Sequence, residues 1–151
     1  MKIKPQMIGS TLLALAGLLS TSLSAATMPA LKGNETLWLL DQAHQLLKVK
    51  VAAADKLVEQ KALTGLAQGE SIVGIDYRVA YGVLYALSDK GQLYSVETNT
   101  GKLTAIGPVL PASSLKKAQF GFDFNPVADR IRVVNEQGQN LRLHPETGAL
   151  A

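Results

Sequence analysis

The sequence of 151 residues is 47% hydrophobic and 18% charged, and it contains no cysteine. This length is enough for one domain with a hydrophobic core, and the lack of cysteine excludes disulfides and thiol chemistry. The formal net charge of +3 falls to about +1 without the basic residues Lys2 and Lys4, because 13 basic residues then balance 12 acidic ones. Such a small charge gives little electrostatic support for a nucleic-acid partner, and we expect none.

Residues 1–26 have the pattern of a secretory signal peptide. Lys2 and Lys4 give a positive start, Met7–Leu23 is apolar and uncharged, and Ser24–Ala26 offers small residues for cleavage. A membrane anchor is the alternative, but the apolar run is short and rich in Ser, Thr and Gly. We expect an exported protein, periplasmic or secreted, that is not embedded in the membrane after cleavage.

Residues 27–36 include Pro29 and Gly33 and predict an irregular segment. The apolar residues of Leu37–Leu63, which follow, recur at helical spacing. Shifted by 47 positions, however, many of them fall on similar residues further along the chain, which suggests a degenerate copy of a repeat. We therefore predict strands in this stretch.

The stretch Gly74–Gly107 reappears from Gly121 onward, again at a spacing of 47 positions (121 − 74). The matched pairs are Gly74 and Gly121, Asp76 and Asp123, Gly91 and Gly138, Gln92 and Gln139, and Gly101 and Gly148. Four strands are predicted in the first of these copies: Ile72–Tyr77, Val83–Leu87, Gln92–Val96 and Lys102–Ile106. Turn residues separate them, which predicts an antiparallel meander.

A hairpin closed around Lys90-Gly91 would place Tyr85, Leu87, Tyr94 and Val96 on one face of this sheet. Leu84, Ala86 and Ser95 would then lie on the other face. Both faces are largely apolar, so both must be covered by other sheets. Four strands in a period of this length are typical of a propeller blade.

The linker Pro108–Gln119 leads to the last copy, for which the predicted strands are Phe120–Phe124, Arg130–Val134 and Asn140–Leu143. The sequence stops at Ala151, inside the fourth strand of this copy. We therefore predict an all-β, β-propeller-like domain over residues 37–151, with two to three blades and an incomplete last one. Either the chain is a piece of a longer product or other chains complete the propeller.

The phrases GIDYR…GVLYALSDKGQLYSVETNTGKLTAIG and FGFDFNPVADRIRVVNEQGQNLRLHPETG resemble domain-of-unknown-function family 4394, a group of exported bacterial proteins. The resemblance covers the chain from about Leu37 to the end. It implies propeller-type repeats and a chain that continues past this one. It carries over no catalytic residues, because no activity is assigned to the family. The first copy departs from the pattern, since its turn has Ala43-His44 in place of a glycine.

Asp76 and Asp123 are the best candidates for a polar binding site. Each lies between apolar residues on the first strand of its copy, the strand that would be nearest the axis of a propeller. Carboxylates there could line a channel or hold a cation. The alternative is structural: a buried aspartate that accepts hydrogen bonds from the backbone of a neighbouring blade, or from Arg130 or Arg132.

Other groups favour structural roles. The aromatic residues Tyr85, Tyr94, Phe120, Phe122 and Phe124 alternate along strands, so core packing is favoured over a sugar-stacking platform. Arg130, Arg132 and Arg142 are expected to form ion pairs between blades rather than an anion site. The sequence lacks a nucleophile elbow, a phosphate-binding glycine loop and the spacing of a metal site, so no catalytic residue, metal or cofactor is predicted.

Three functions remain open from the sequence. The first is a non-catalytic exported module that binds a protein or envelope component through its loops. The second is a metal-assisted hydrolase or lactonase that uses the axial carboxylates, so enzyme activity is undecided. The third is a truncated, non-functional product.

Overall fold

The structure is a computed structural model that describes residues 33–111, 115 and 119–151. These residues belong to a compact unit, Leu31–Ala151. The predicted signal peptide, residues 1–26, and most of the predicted irregular segment, residues 27–36, lie outside the described residues. Within the described part of the chain, no helix is long and apolar enough to cross a membrane.

The described residues form ten β-strands in three antiparallel sheets, and in each sheet neighbouring strands follow one another along the chain. The first sheet contains β1 (Thr36–Leu40), β2 (Gln45–Lys50) and β3 (Ala53–Ala62). The second contains β4 (Ile72–Arg78), β5 (Val83–Ser88), β6 (Leu93–Glu97) and β7 (Lys102–Ile106). The third contains β8 (Phe120–Asn125), β9 (Arg130–Asn135) and β10 (Asn140–Leu143). The all-β prediction is confirmed, and the ambiguous stretch Leu37–Leu63 forms strands rather than a helix.

The strands recur at the spacing seen in the sequence. β5 begins 47 residues before β9 (130 − 83), and β6 begins 47 residues before β10 (140 − 93). β1 likewise begins 47 residues before β5 (83 − 36). Residues whose numbers differ by 47 therefore occupy equivalent positions in successive sheets.

The same turn connects β1 to β2, β5 to β6 and β9 to β10. It begins with a polar residue whose side-chain oxygen accepts a hydrogen bond from the backbone N–H four residues later; these residues are Asp41, Ser88 and Asn135. Three positions after each lies a residue with positive φ: His44 at 56°, Gly91 at 90° and Gly138 at 78°. This conformation suits glycine, so His44 occupies a glycine position at a conformational cost. The predicted turns are confirmed, including the one with His44.

The hairpin between β5 and β6 has a three-residue loop, Asp89–Gly91. Gly91 N–H donates to the Ser88 carbonyl at 3.0 Å, and Ser88 N–H donates to the Gln92 carbonyl at 2.9 Å. Leu87 is consequently paired with Leu93, and Tyr85 with Ser95.

The predicted assignment of side chains to the two faces is therefore wrong. One face of the second sheet carries Tyr85, Leu87, Leu93 and Ser95, and the other carries Leu84, Ala86, Tyr94 and Val96. The prediction assumed a two-residue loop at Lys90-Gly91. A loop that is one residue longer shifts the register by one, which moves every side chain of the returning strand to the opposite face.

The second sheet is packed on both faces, as its apolar pattern predicts. On one face Leu84, Ala86, Tyr94, Val96 and Leu103 pack with Leu46 of the first sheet. On the other face Tyr85, Leu87 and Leu93 pack with residues of the third sheet, Phe124, Ile131, Val133 and Leu143. The three sheets thus stack face to face in chain order.

Gly74 allows the first strands of the second and third sheets to come close together. A side-chain carbon at this position would lie 2.5 Å from the Cβ atom of Phe122. Real Cβ atoms do not approach so closely, so the absence of a side chain at Gly74 is what lets β8 lie against β4.

Candidate functional site

The structure brings both predicted candidates, Asp76 and Asp123, to one cavity. They occupy equivalent positions in β4 and β8, and both line a cavity of about 460 Å³. The rest of its lining comes from the end of β4, from the 3-10 turn Val79–Tyr81 that follows it, from Phe124 of β8, and from the turn between β8 and β9. The equivalent position in the first copy is residue 29, which lies outside the described residues.

Asp76 links the two sheets. One carboxylate oxygen accepts a hydrogen bond from the backbone N–H of Tyr77 at 2.7 Å, and the other accepts one from the N–H of Phe124 at 2.6 Å. Phe124 belongs to β8, so the second bond crosses from the second sheet to the third. This is the structural role weighed above, a carboxylate that accepts hydrogen bonds from the backbone of a neighbouring sheet.

Asp123 has a different environment from its counterpart. It is exposed, and it lies opposite Arg132 in the β8–β9 register. No ion pair joins these two side chains among the described residues. Asp123 is therefore the more accessible of the two predicted carboxylates.

Arg78, at the end of β4, is the most strongly held polar side chain of the cavity, and the sequence analysis did not find it. Only 5% of the residue is exposed. Its guanidinium donates two hydrogen bonds to the carboxylate of Asp129, of which the Nε bond measures 2.8 Å, and a third to Glu146 at 3.4 Å. It also lies over the ring of Tyr81, 3.7 Å from the ring centroid. Arg78 thus ties β4 to the β8–β9 turn and to the turn after β10.

The electrostatics of this cluster keep both partners charged. The hydrogen bonds to Asp129 raise the pKa of Arg78 above its usual range, and the same contact lowers the pKa of the Asp129 carboxyl. A bidentate pair of this kind is stronger and more directional than a single hydrogen bond. The cluster is therefore suited to holding β4 against the neighbouring turns. Because the pKa shifts keep both groups charged, neither Arg78 nor Asp129 exchanges a proton near neutral pH.

Asp129 adopts an uncommon backbone conformation to make this contact. Its φ is 49°, and its equivalent in the second sheet, 47 residues earlier, is Gly82 with φ 66°. Aspartate tolerates the left-handed region better than most residues but less well than glycine. An aspartate where the sister copy has glycine is therefore the one sequence signal that could have pointed to this pair.

The turns beside the cavity expose apolar side chains. Val79 is 77% exposed, Tyr81 is 61% exposed and Val127 is 96% exposed. They belong to equivalent turns, Val79–Tyr81 after β4 and Pro126–Asp129 after β8, which we call the loop surface. Arg78 and Asp129 connect these two turns to each other.

The structure confirms the predicted role of the aromatic residues but, in the part of the chain that it describes, does not show the ion pairs that were predicted for the three arginines. Tyr85, Tyr94 and Phe124 are buried, and Phe120 and Phe122 pack against the core, so the packing role of the aromatic residues is confirmed. Arg130, Arg132 and Arg142 line a separate cavity of about 230 Å³, and none of them forms an ion pair within the described residues. The expected ion pairs are thus not found among those residues.

Neither histidine belongs to a metal site in the described part of the chain. His44 Nε2 accepts a hydrogen bond from Ile72 N–H at 3.3 Å, and His144 Nδ1 accepts one from Glu146 N–H at 3.2 Å. Among the described residues, no three His, Cys, Asp or Glu side chains are placed to hold a metal ion. The His44 imidazole thus links the β1–β2 turn to the start of β4, and the His144 imidazole accepts a hydrogen bond within the turn after β10.

Three antiparallel sheets, stacked face to face, define an all-β protein. The chain belongs to the family described as "Domain of unknown function (DUF4394)", which matches residues 45–151. The resemblance noted from the sequence is thereby confirmed. Among curated proteins, none matches the chain.

Proposed function

We propose that the chain is a non-catalytic binding module of an exported protein, which engages a protein or another component of the cell envelope through the loop surface. The observation that carries the proposal is the pair of equivalent turns, Val79–Tyr81 and Pro126–Asp129, that expose apolar side chains beside a polar cavity. Exposed apolar groups rimmed by polar residues are typical of protein interaction sites.

The ion pair between Arg78 and Asp129 supports this proposal. A surface that is already ordered loses less conformational entropy on binding than a flexible one. Arg78 joins the two turns through Asp129, and the ring of Tyr81 rests against the Arg78 guanidinium. Tyrosine is also enriched among the residues that contribute most to binding energy, and Tyr81 is 61% exposed.

We further propose that the three sheets are consecutive blades of a β-propeller-like domain. Three features support this: the chain-order meanders, the face-to-face stacking, and the contact of β4 with β8 along the first strands of two sheets. In such a domain the loop surface would lie at one end of the blades, around the axis. The pattern of residues 1–26 supports export to the periplasm or the exterior.

The test uses the full chain as bait against an extract of the cell envelope, with chemical cross-linking and identification of the retained proteins. Val127→Glu places a charge on the loop surface without disturbing the core, because this side chain is 96% exposed. We expect the recovery of a specific partner to fall at least about fivefold, as burying an unpaired carboxylate in an apolar contact is costly.

Leu57→Glu is the matched control. Leu57 lies on β3 of the first sheet and is 51% exposed, away from the loop surface. It should leave recovery unchanged. A partner retained equally by Val127→Glu and by the unchanged chain would contradict the proposal, and so would the lack of any partner that depends on this surface.

A further inference from the structure

The loop surface contains an exposed aromatic ring that is supported on one face. Tyr81 ends the 3-10 turn Val79–Tyr81, and 61% of the residue is exposed. The central guanidinium carbon of Arg78 lies 3.7 Å from the centroid of its ring. Because the guanidinium covers one face and most of the residue is exposed, the opposite face of the ring is open to solvent.

The support under the ring is itself held in place. Arg78 is only 5% exposed, and its guanidinium donates hydrogen bonds to the carboxylates of Asp129 and Glu146. A ring that packs on such a guanidinium has few alternative positions. It therefore loses little conformational entropy when a ligand stacks on it.

The residues of this arrangement differ from their equivalents in the neighbouring copy of the repeat. The four residues are linked through contacts to Arg78, and each is compared with the residue 47 positions away in the chain. The pairs are Arg78 and Asn125, Tyr81 and Ala128, Asp129 and Gly82, and Glu146 and Asn99. The arrangement is thus specific to this junction of the second and third sheets.

The stability of the fold does not account for the tyrosine. An ion pair that joins two sheets needs Arg78, Asp129 and Glu146, but it needs no aromatic ring on its solvent side. A side chain that remains 61% exposed also gains little from burial. An open ring with a fixed orientation is what a stacking ligand requires.

The charges beside the ring are largely matched, which disfavours an ionic ligand. Arg78 binds Asp129 and Glu146, and Arg130 donates to the backbone carbonyl of Asp129 at 2.9 Å. Two arginines thus accompany two carboxylates. Asp76 lines the same cavity, but its two oxygens already accept backbone hydrogen bonds.

The polar groups at the ring offer acceptors to a ligand. In their contacts with Arg78, the Asp129 carboxylate accepts two hydrogen bonds and the Glu146 carboxylate accepts one. A carboxylate has about four acceptor positions, and the two side chains are 39% and 62% exposed. Free acceptors next to a neutral aromatic face suit a ligand with hydroxyl groups.

The adjoining cavity has the size of a small-ligand site. Its volume is about 460 Å³, and both Tyr81 and Asp129 line it. Cavities that bind small molecules measure roughly 300–1,000 Å³. The cavity lies beside turns at the ends of strands, and sheets that stack face to face leave those ends uncovered.

We propose that the Tyr81 ring and this cavity bind a pyranose sugar of the gluco configuration, either free or as a unit of an envelope glycan. In this configuration the hydroxyl groups are equatorial, so the axial C–H groups form a flat apolar face. The electron-rich face of tyrosine attracts such C–H groups, while hydroxyl groups at the sugar edge donate to Asp129 and Glu146. The inference rests on the proposed binding role of the loop surface and names the class of component that it binds.

The test is a calorimetric titration of the full chain with D-glucose, N-acetylglucosamine and the β-1,4-linked tetramer of each sugar. We expect saturable binding that Tyr81→Ala weakens about tenfold or more, because the stacking surface is lost. Tyr81→Phe keeps the ring and should change the affinity by less than about threefold. Tighter binding of a tetramer than of its monomer indicates a glycan, and equal binding indicates a free sugar.

Saturation-transfer NMR gives a geometric readout on the same samples. Irradiation of the aromatic protons should transfer magnetisation to the axial C–H protons of the bound sugar, and Tyr81→Ala should abolish this transfer. Because Tyr81 is mostly exposed, the melting temperature of Tyr81→Ala should stay within about 5 °C of the unchanged chain, so unfolding would not explain a loss of binding.

Val127→Glu is the matched control, because Val127 belongs to the loop surface but lies outside the lining of the cavity. It should change the affinity for the sugars by less than twofold. The lack of binding to all four probes would overturn the proposal, as would equal affinity in Tyr81→Ala and the unchanged chain. A protein partner that is lost in Val127→Glu, found together with no sugar binding, would leave the loop surface a protein-binding site and overturn only the sugar assignment.

Discussion

Replacing Asp76 with alanine tests whether this carboxylate is mainly a link between sheets. The change removes two hydrogen bonds, at 2.7 Å to Tyr77 N–H and at 2.6 Å to Phe124 N–H. Hydrogen bonds to a charged group contribute roughly 1.5–3 kcal/mol each when they are shielded from water. Tyr77 is exposed, so water can replace its bond, whereas Phe124 is buried.

We therefore expect Asp76→Ala to lower the free energy of unfolding by about 2–3 kcal/mol, most of it from the bond to Phe124. Asp76→Asn keeps one acceptor oxygen but loses the charge, so we expect about 1 kcal/mol. Urea unfolding measures both values. With a typical slope of about 1–3 kcal/mol per molar urea, Asp76→Ala should move the midpoint by roughly 1 M.

Asp123→Ala is the matched control for Asp76→Ala. It changes the equivalent residue of the third sheet, which is exposed, and we expect a loss within about 0.5 kcal/mol. Amide hydrogen exchange adds a local readout, because the N–H of Phe124 should exchange faster in Asp76→Ala. If both alanine variants were equally stable, the inter-sheet role of Asp76 would be refuted.

Two further predictions concern packing and pH. Gly74→Ala should destabilise the fold by about 1–3 kcal/mol, since its new methyl group overlaps Phe122. The new methyl group of Gly121→Ala meets only a movable side-chain methyl group at 3.0 Å, so this variant should cost less than half as much stability in the same urea assay. Burial raises the pKa of Tyr94 from 10.0 to about 12, with a contribution from its 2.7 Å hydrogen bond to Glu70. A raised pKa stabilises the folded state below pH 10, and this stability is lost as the pH rises towards 12. The urea midpoint of the unchanged chain should therefore fall more between pH 9 and pH 11.5 than that of Tyr94→Phe, and parallel declines would contradict this explanation.

The loop surface and the Arg78–Asp129 ion pair could not be predicted from the sequence, because their residues meet only in the folded chain. Arg78 and Asp129 are 51 residues apart, and neither belongs to a known short motif. The bond from Phe124 to Asp76 spans 48 residues and depends on how the second and third sheets stack. The proposal that Asp76 could accept a backbone bond named the correct chemistry, but the donor could be identified only from the structure.

For Arg130, Arg132 and Arg142, by contrast, the group itself was predicted from the sequence, but its partners were not. The three arginines were recognised as a local group on adjacent strands, and the structure places them on one face of β9 and β10. Carboxylates were expected to pair with them, but whether an acid lies within reach is a property of the neighbouring strands and sheets. The position of Asp123 opposite Arg132 could not be deduced from the spacing of the arginines.

The sequence by itself determined the repeat, the all-β class, and the approximate place of the turns that join β1 to β2, β5 to β6 and β9 to β10. These follow from local signals: a period of 47 residues, apolar strands, and polar or glycine residues that favour a turn. Even the turn at His44 could be located, because it aligns with Gly91 and Gly138.

The tertiary structure alone decided which side chains share a face, which carboxylates are occupied, and which charges remain exposed. A single extra residue in the loop Asp89–Gly91 reversed the predicted faces of the second sheet, because side chains alternate along a strand. Contacts between sheets depend on that register and on close approaches such as the one at Gly74. Residues far apart in the chain are brought together by stacking, and no local pattern in the sequence records the result.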